Sequence, residues 1–163
     1  MRILAIDPGP VESAWLVYDS RTATIEKYRK DPNDRTKAVV RAYAARRQGC
    51  GVDERLVIEK IESFGLAVGV TVFETVFWSG RFAEAWDGHF DRIGRMAIKM
   101  HLCQSSRAKD ANIRQALIDR FGPSRELAIG NKAWPGPLYG ISKDVWSALA
   151  VAVTYSDIHH RLI

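Results

Sequence analysis

Apolar residues along the chain first run together and then alternate. Ile3 to Ile6 form a short apolar block stopped by Asp7-Pro8-Gly9, so Arg2 to Asp7 is predicted as a strand. Ser13 to Asp19 and Thr22 to Arg29 follow at hairpin spacing with β-branched and aromatic content, which predicts a three-strand meander. The pattern turns helical from Asp34 to Gln48, with Val39, Val40, Tyr43 and Ala44 as its apolar positions, Asp34 as the N-cap and Gly49 as the stop. Arg55 to Glu59 returns to a near-continuous apolar strand, which suits a central position covered on both faces. Beyond it the spacing predicts a long helix over Val68 to Trp86, a fifth strand over Arg95 to Met100, and a helix from Lys109 to Phe121 ended by Gly122-Pro123. The stretch from Gly130 to Gly140, with Pro135, Gly136 and Pro137 inside it, predicts a loop. Ser142 then caps a last helix carrying Val145, Trp146, Leu149 and Val153. The order βββαβαβαα, without internal repeat or dividing linker, predicts a single α/β domain over residues 1–163. Its core is a five-stranded mixed sheet, a meander plus two further strands, flanked by helices.

Composition narrows the class. The 163 residues are enough to bury a core without disulfides or a structural metal. Lys and Arg number 24 against 19 Asp and Glu, giving net +5 and a pI near 9.4, so attraction to a polyanion is expected. Cys50 and Cys103 show no metal-type pairing, which fits a reducing cytosol and argues against zinc. The N-terminus reaches an acid and a proline before a signal-peptide core could form, and no apolar run approaches membrane-spanning length. A soluble, cytoplasmic protein that meets no membrane is therefore expected.

The chemistry rests with acids at the ends of elements. Two-metal hydrolysis of a phosphodiester needs carboxylates from distant parts of the chain to converge, so that ions about 3.5–4 Å apart hold the attacking and leaving oxygens. Asp7 closes the first strand, Glu59 closes the fourth, and Asp144 lies in the first turn of the final helix. If strands one and four are neighbours, Asp7 and Glu59 meet at the sheet edge, and a helix crossing that edge delivers Asp144. Each acid also has a plainer reading: Asp-Pro-Gly is ordinary turn chemistry, Glu59 can be a solvated strand end, and Asp144 can serve the helix dipole.

Four segments carry a resemblance. ILAIDPG at the N-terminus, LVIEKIESFG in the middle, KDANIRQALIDRFG later and PGPLYGISKDVWSALAVAV near the end resemble, in that order, segments of RuvC-type Holliday junction resolvases, including the short phage-encoded kind. The resemblance implies an RNase H-like fold, a homodimer, magnesium with manganese able to substitute, and symmetric nicking of two strands of a four-way DNA junction. If the chain is phage-encoded, it works in the cytoplasm of a bacterial host. The family's first-strand acid falls on Asp7, its fourth-strand glutamate on Glu59 and the first acid of its final helix on Asp144. One position departs: where RuvC proteins carry a second acid three residues further along that helix, this chain has Ser147. The serine hydroxyl or water can take that coordination position, or Glu62 can contribute. Two other functions stay open: a branched-DNA-binding protein with weakened catalysis, and an RNase H-type ribonuclease acting on RNA/DNA hybrids.

Candidate DNA-binding residues surround these acids. Arg107 and Lys109 open the helix that ends in DRFG, where the resemblance also implies a functional lysine; the alternative is a solvated helix start. Lys60, Lys132 and Lys143 flank the acids and can contact a strand. Phe64 follows the strand carrying Glu59, where an aromatic can stack on an opened base pair or belong to the core. Val70, Phe73, Val76 and Phe77, flanked by Trp78 and Trp86, form a stripe that reads first as core, although the resemblance implies that part of this helix packs against its twin. Arg114 and Asp110, four residues apart, are spaced to pair.

Overall fold

The computed structural model describes residues 1–51, 53–63, 65 and 67–160. Five strands, β1 (Arg2–Asp7), β2 (Glu12–Asp19), β3 (Thr24–Pro32), β4 (Glu54–Lys60) and β5 (Asp91–Gly94), form one sheet in the order β3-β2-β1-β4-β5. The meander β1-β2-β3 is antiparallel, and β4 and β5 run parallel to β1, so the sheet is mixed as the pattern predicts. Six helices are described: α1 (Asn33–Cys50), α2 (Val70–Trp86), α3 (Arg95–Cys103), α4 (Asp110–Phe121), α5 (Arg125–Ile129) and α6 (Lys143–His160).

The unbroken apolar run of β1 reflects a sheet covered on both sides. Ile3 and Ala5 face one cluster with Leu16, Val57, α4 and α6; Leu4 and Ile6 face another with Val17, Ile58, α1 and α2. Successive side chains of a strand point to opposite faces, so a strand inside two layers has no polar side to show. Helix α6 is buried over Ala148 to Val153, and its alternating alanines let the helix axis approach β1 and β2 closely. Among the described residues no helix is long and apolar enough to cross a membrane.

Three expectations about elements are corrected. Arg95 to Met100 is not a strand but most of helix α3, and the fifth strand is the four residues before it. Met96, Ile98 and Met100 mimic strand alternation, yet only Ile98 is buried; Ile98 and Leu102, four apart, are the inward positions of a helix. The true β5 buries only Ile93, too little to leave a period. Helix α1 starts directly at the end of β3, with Pro32 in the N-cap position and Asp34 inside the first turn, and it runs past Gly49 to a left-handed stop at Gly51. Helix α5, one short turn capped by Ser124, is too brief for a period to reveal.

A charged cluster ties α3, α4 and α6 together away from the sheet end discussed below. Arg120 donates two hydrogen bonds to Asp157, at 2.6 and 2.7 Å, and His101 Nε2 lies 2.7 Å from the same carboxylate. Asp157→Ala is expected to lower unfolding free energy by about 2 kcal/mol, since charge-assisted bonds to a mostly buried group are lost. Urea denaturation checks this; a loss under about 0.5 kcal/mol, the range of ordinary surface changes, would show that the cluster contributes little.

Candidate active site

Parallel pairing sets Ile6 opposite Ile58, so Asp7 and Glu59 follow one step later on neighbouring strands, both at carboxyl ends. The chain leaves β1 toward β2 on one side, and after β4 it returns as β5 on the other. The diverging connections leave an opening between the two acids, the usual place for a site in an open α/β sheet. The turn after Asp7 is held from below. Gly9 N–H donates to Ser13 Oγ at 3.1 Å, the Ser13 hydroxyl donates to Asn33 Oδ1 at 2.6 Å, and Asn33 Nδ2 donates to the Gly9 carbonyl at 3.0 Å. A Cβ at position 9 would collide with the Glu12 carbonyl, so glycine is required there for close approach rather than for a special φ.

Proximity has an electrostatic consequence. Burial first, then the negative charges of Glu59 and Asp144, push the Asp7 carboxyl up from 3.8 to about 7, while Arg95 and a hydrogen bond from Ser147 pull it back. Burial also raises Glu59, opposed by Arg95, whose Nη1 lies 3.5 Å from Glu59 Oε1. Glu59 Oε2 is buried without a hydrogen-bond partner among the described residues. Arg95 also pairs with Asp110 on α4. Asp144, half-exposed in the first turn of α6, is 2.7 Å from Lys30 Nζ, which reaches Glu12 at 3.3 Å. Lys30 belongs to this site by register: Asp7 faces Ala14, and Ala14 faces Lys30 on the next strand.

The donors suit a hard divalent cation, which takes carboxylate oxygens. Asp7 and Glu59 offer a repelling pair and an acceptor with no partner, both of which a cation relieves. Asp144 can join when it exchanges its pairing with Lys30. As placed, no three His, Cys, Asp or Glu side chains among the described residues stand close enough together to hold an ion. Ser147, one turn beyond Asp144, addresses Asp7, whereas Glu62 is held 2.9 Å from Lys60 and lies against Gly94.

Beside the acids a cleft of about 570 Å³ opens between α4 and the start of α6, with Arg95, Arg114, Arg125, Lys143, Asp144 and Ser147 among its lining residues. Arg114 does not pair with Asp110; it lies over the Trp146 ring at 4.9 Å, and Asp110 takes Arg95 instead. Sequence reading places Lys143 here but misses Lys30, Arg95 and Arg125. Arg95 is hidden by its assignment to a strand and Arg125 by the unrecognised α5. Arg107 and Lys109 are exposed just before α4, where Lys109 N–H donates to Asn112 Oδ1, and Lys132 is exposed on the 130–142 loop. Phe64 lies outside the described residues.

No family model and no curated protein sequence matches the chain. Solved structures do. The structure of Thermus thermophilus RuvC superposes with a TM-score of 0.66 at 13% identity, covering 99% of this chain and 96% of that one. The same protein in complex with a Holliday junction substrate gives a TM-score of 0.60 at 16% identity, with the same coverage. The chain has the RuvC fold. The five-stranded mixed sheet with helices on both faces is the RNase H-like arrangement, and the RuvC fold accounts for nearly the full length of the chain. At 13–16% identity the likeness is one of topology.

Proposed function

We propose that the protein is a divalent-metal-dependent endonuclease that resolves Holliday junctions and related branched DNA by symmetric nicking. The observation that carries this reading is the pairing of Asp7 with Glu59 at the ends of parallel β1 and β4, with a buried unpartnered oxygen on Glu59, beside a cation-lined cleft. The Thermus thermophilus RuvC of the same fold is described in complex with a Holliday junction substrate, which supports branched DNA as the ligand. Asp7, Glu59 and Asp144 would hold magnesium, or manganese in its place, which would supply Lewis-acid polarisation of the phosphodiester and activation of water. Arg114, Arg125 and Lys143 grip strand phosphates in the cleft, with Arg107, Lys109 and Lys132 reaching the adjoining duplex. Arg114 is braced by its stacking on Trp146, so less side-chain freedom is lost on binding.

The stripe on α2 supports a homodimer. Val70, Phe73, Val76 and Phe77 are exposed at 75, 64, 51 and 57%, contrary to the core reading, whereas Trp78 is half-buried against Phe82 and Trp86 is buried. A contiguous apolar helix face of this kind marks an association surface. A two-fold pair matches the symmetry of a four-way junction and provides one site per opposed strand.

The discriminating experiment offers purified protein a four-way DNA junction, a linear duplex and an RNA/DNA hybrid, each with and without magnesium. Cleavage of the junction alone is expected. Cleavage of the hybrid would make it a ribonuclease, and tight junction binding without cleavage in magnesium or manganese would make it a binding protein. Ser147 gives a further prediction. Ser147→Asp adds a charged ligand one turn beyond Asp144 and is expected to lower the magnesium needed for half-maximal cleavage roughly five- to tenfold. If the magnesium titration does not move, the fourth position is not supplied from α6.

A further inference from the structure

Arg95 stands between two carboxylates, Glu59 and Asp110. It is the first residue of α3, directly after the β5 residue that pairs with Lys60, so the fold delivers its head group beside Glu59. Nη1 stands 3.5 Å from Glu59 Oε1, and Nη2 is held by Asp110. A guanidinium can grip a carboxylate with two parallel bonds. Here it makes one long contact, and the other buried oxygen of Glu59 has no partner among the described residues. Asp110 holds the same head group from the outside: its side chain is 85% exposed while that of Arg95 is 24% exposed. Arg95 is thus shared between an inner carboxylate of the site and an outer one at the cleft.

We propose that Arg95 is a resident competitor of the divalent cation for Glu59, and that Asp110 is the outer carboxylate that takes the guanidinium when the cation is bound. This rests on the metal-site reading above and extends it to how the ion is admitted. Asp110 is then a positioning residue that acts through Arg95 rather than a ligand. Its substitution matters only while Arg95 is there to be positioned.

The test is a magnesium titration without DNA, read by calorimetry and by the rise in melting temperature, on the wild type, Arg95→Gln, Asp110→Asn and the double variant. Arg95→Gln is expected to tighten magnesium binding about tenfold, because a unit positive charge in contact with a carboxylate that would hold the ion is removed. Asp110→Asn is expected to weaken binding several-fold, because Arg95 then turns to Glu59, its other ion-pair partner among the described residues. In the Arg95→Gln background, Asp110→Asn should change nothing, whereas two independent field effects would add. Unchanged or weaker binding by Arg95→Gln, or additive effects in the double variant, would overturn the proposal while the metal site stands. No magnesium binding by either the wild type or Arg95→Gln would overturn the metal-site reading itself, and the proposal with it. Should Arg95→Gln fail to fold, Arg95→Met takes its place in the same four-protein cycle: loss of the Asp110→Asn effect in that background supports the exchange, and additive effects overturn it.

Discussion

Asp7→Asn is expected to reduce junction cleavage by roughly a thousand-fold or more while making the metal-free protein more stable at pH 8. The first effect follows if Asp7 is a metal ligand as proposed, since its charge then supports several kcal/mol of transition-state stabilisation. The second follows from the position of Asp7 on the sheet. Its carboxyl is pushed by burial, and then by Glu59 and Asp144, from 3.8 to about 7. Between those values the unfolded chain has released the proton and the folded chain retains it, so wild-type stability falls as pH rises through this window. Above about pH 7 the folded protein carries the full repulsion of the ionised pair. The asparagine variant never ionises, so its advantage is absent below pH 3.8, grows through the window and is complete above it. Each kcal/mol corresponds to about 2–4 °C in a protein of this size, and a rise of several degrees at pH 8 is expected in chelator. Saturating magnesium should shrink the difference, because the ion stabilises only the wild-type pair. Equal melting temperatures at pH 5 and pH 8 for both proteins would show that Asp7 is not under strain.

Phe73→Glu combined with Phe77→Glu is expected to convert the proposed dimer into a monomer. Both rings are exposed, so neither substitution opens a cavity, and circular dichroism should be unchanged. Buried against a partner, each ring contributes about 1.5–3 kcal/mol, and a two-fold dimer buries four such rings, so the double substitution weakens the dimer Kd by at least about four orders of magnitude. Sedimentation at micromolar concentration reads this directly. The monomer should retain weak nicking of single strands but lose paired incision. A wild type that sediments as a monomer even with junction bound would remove the assignment of this surface.

The sequence and the structure agree most closely where burial forces a pattern. β1 and β4 are legible because two covered faces leave no room for polar residues. The adjacency of Asp7 and Glu59 follows once those two strands are taken as neighbours. The final helix and its first-turn Asp144 are announced by the Gly- and Pro-rich loop before them. What was illegible depends on few residues or on distance in the chain. β5 buries one side chain, so alternation among Met96, Ile98 and Met100 attracted the strand assignment that belongs four residues earlier. That shift hid Arg95, the cation beside Glu59. Lys30 carries no local mark at all; only the register of three strands brings it to Asp144. The stripe on α2 was visible as a period, but period alone does not say whether a helix face meets the core or another molecule.

The central claim is that the Asp7–Glu59 pair directs metal-dependent incision of both opposed strands of a junction. It is tested most directly by incubating the protein with a four-way junction labelled on each strand in turn, with magnesium, with chelator, and with Asp7→Asn in magnesium. Nicks of equal yield are expected at symmetry-related positions on two opposed strands in magnesium, and none in either of the other two conditions. Incision that persists in chelator or in Asp7→Asn would contradict it.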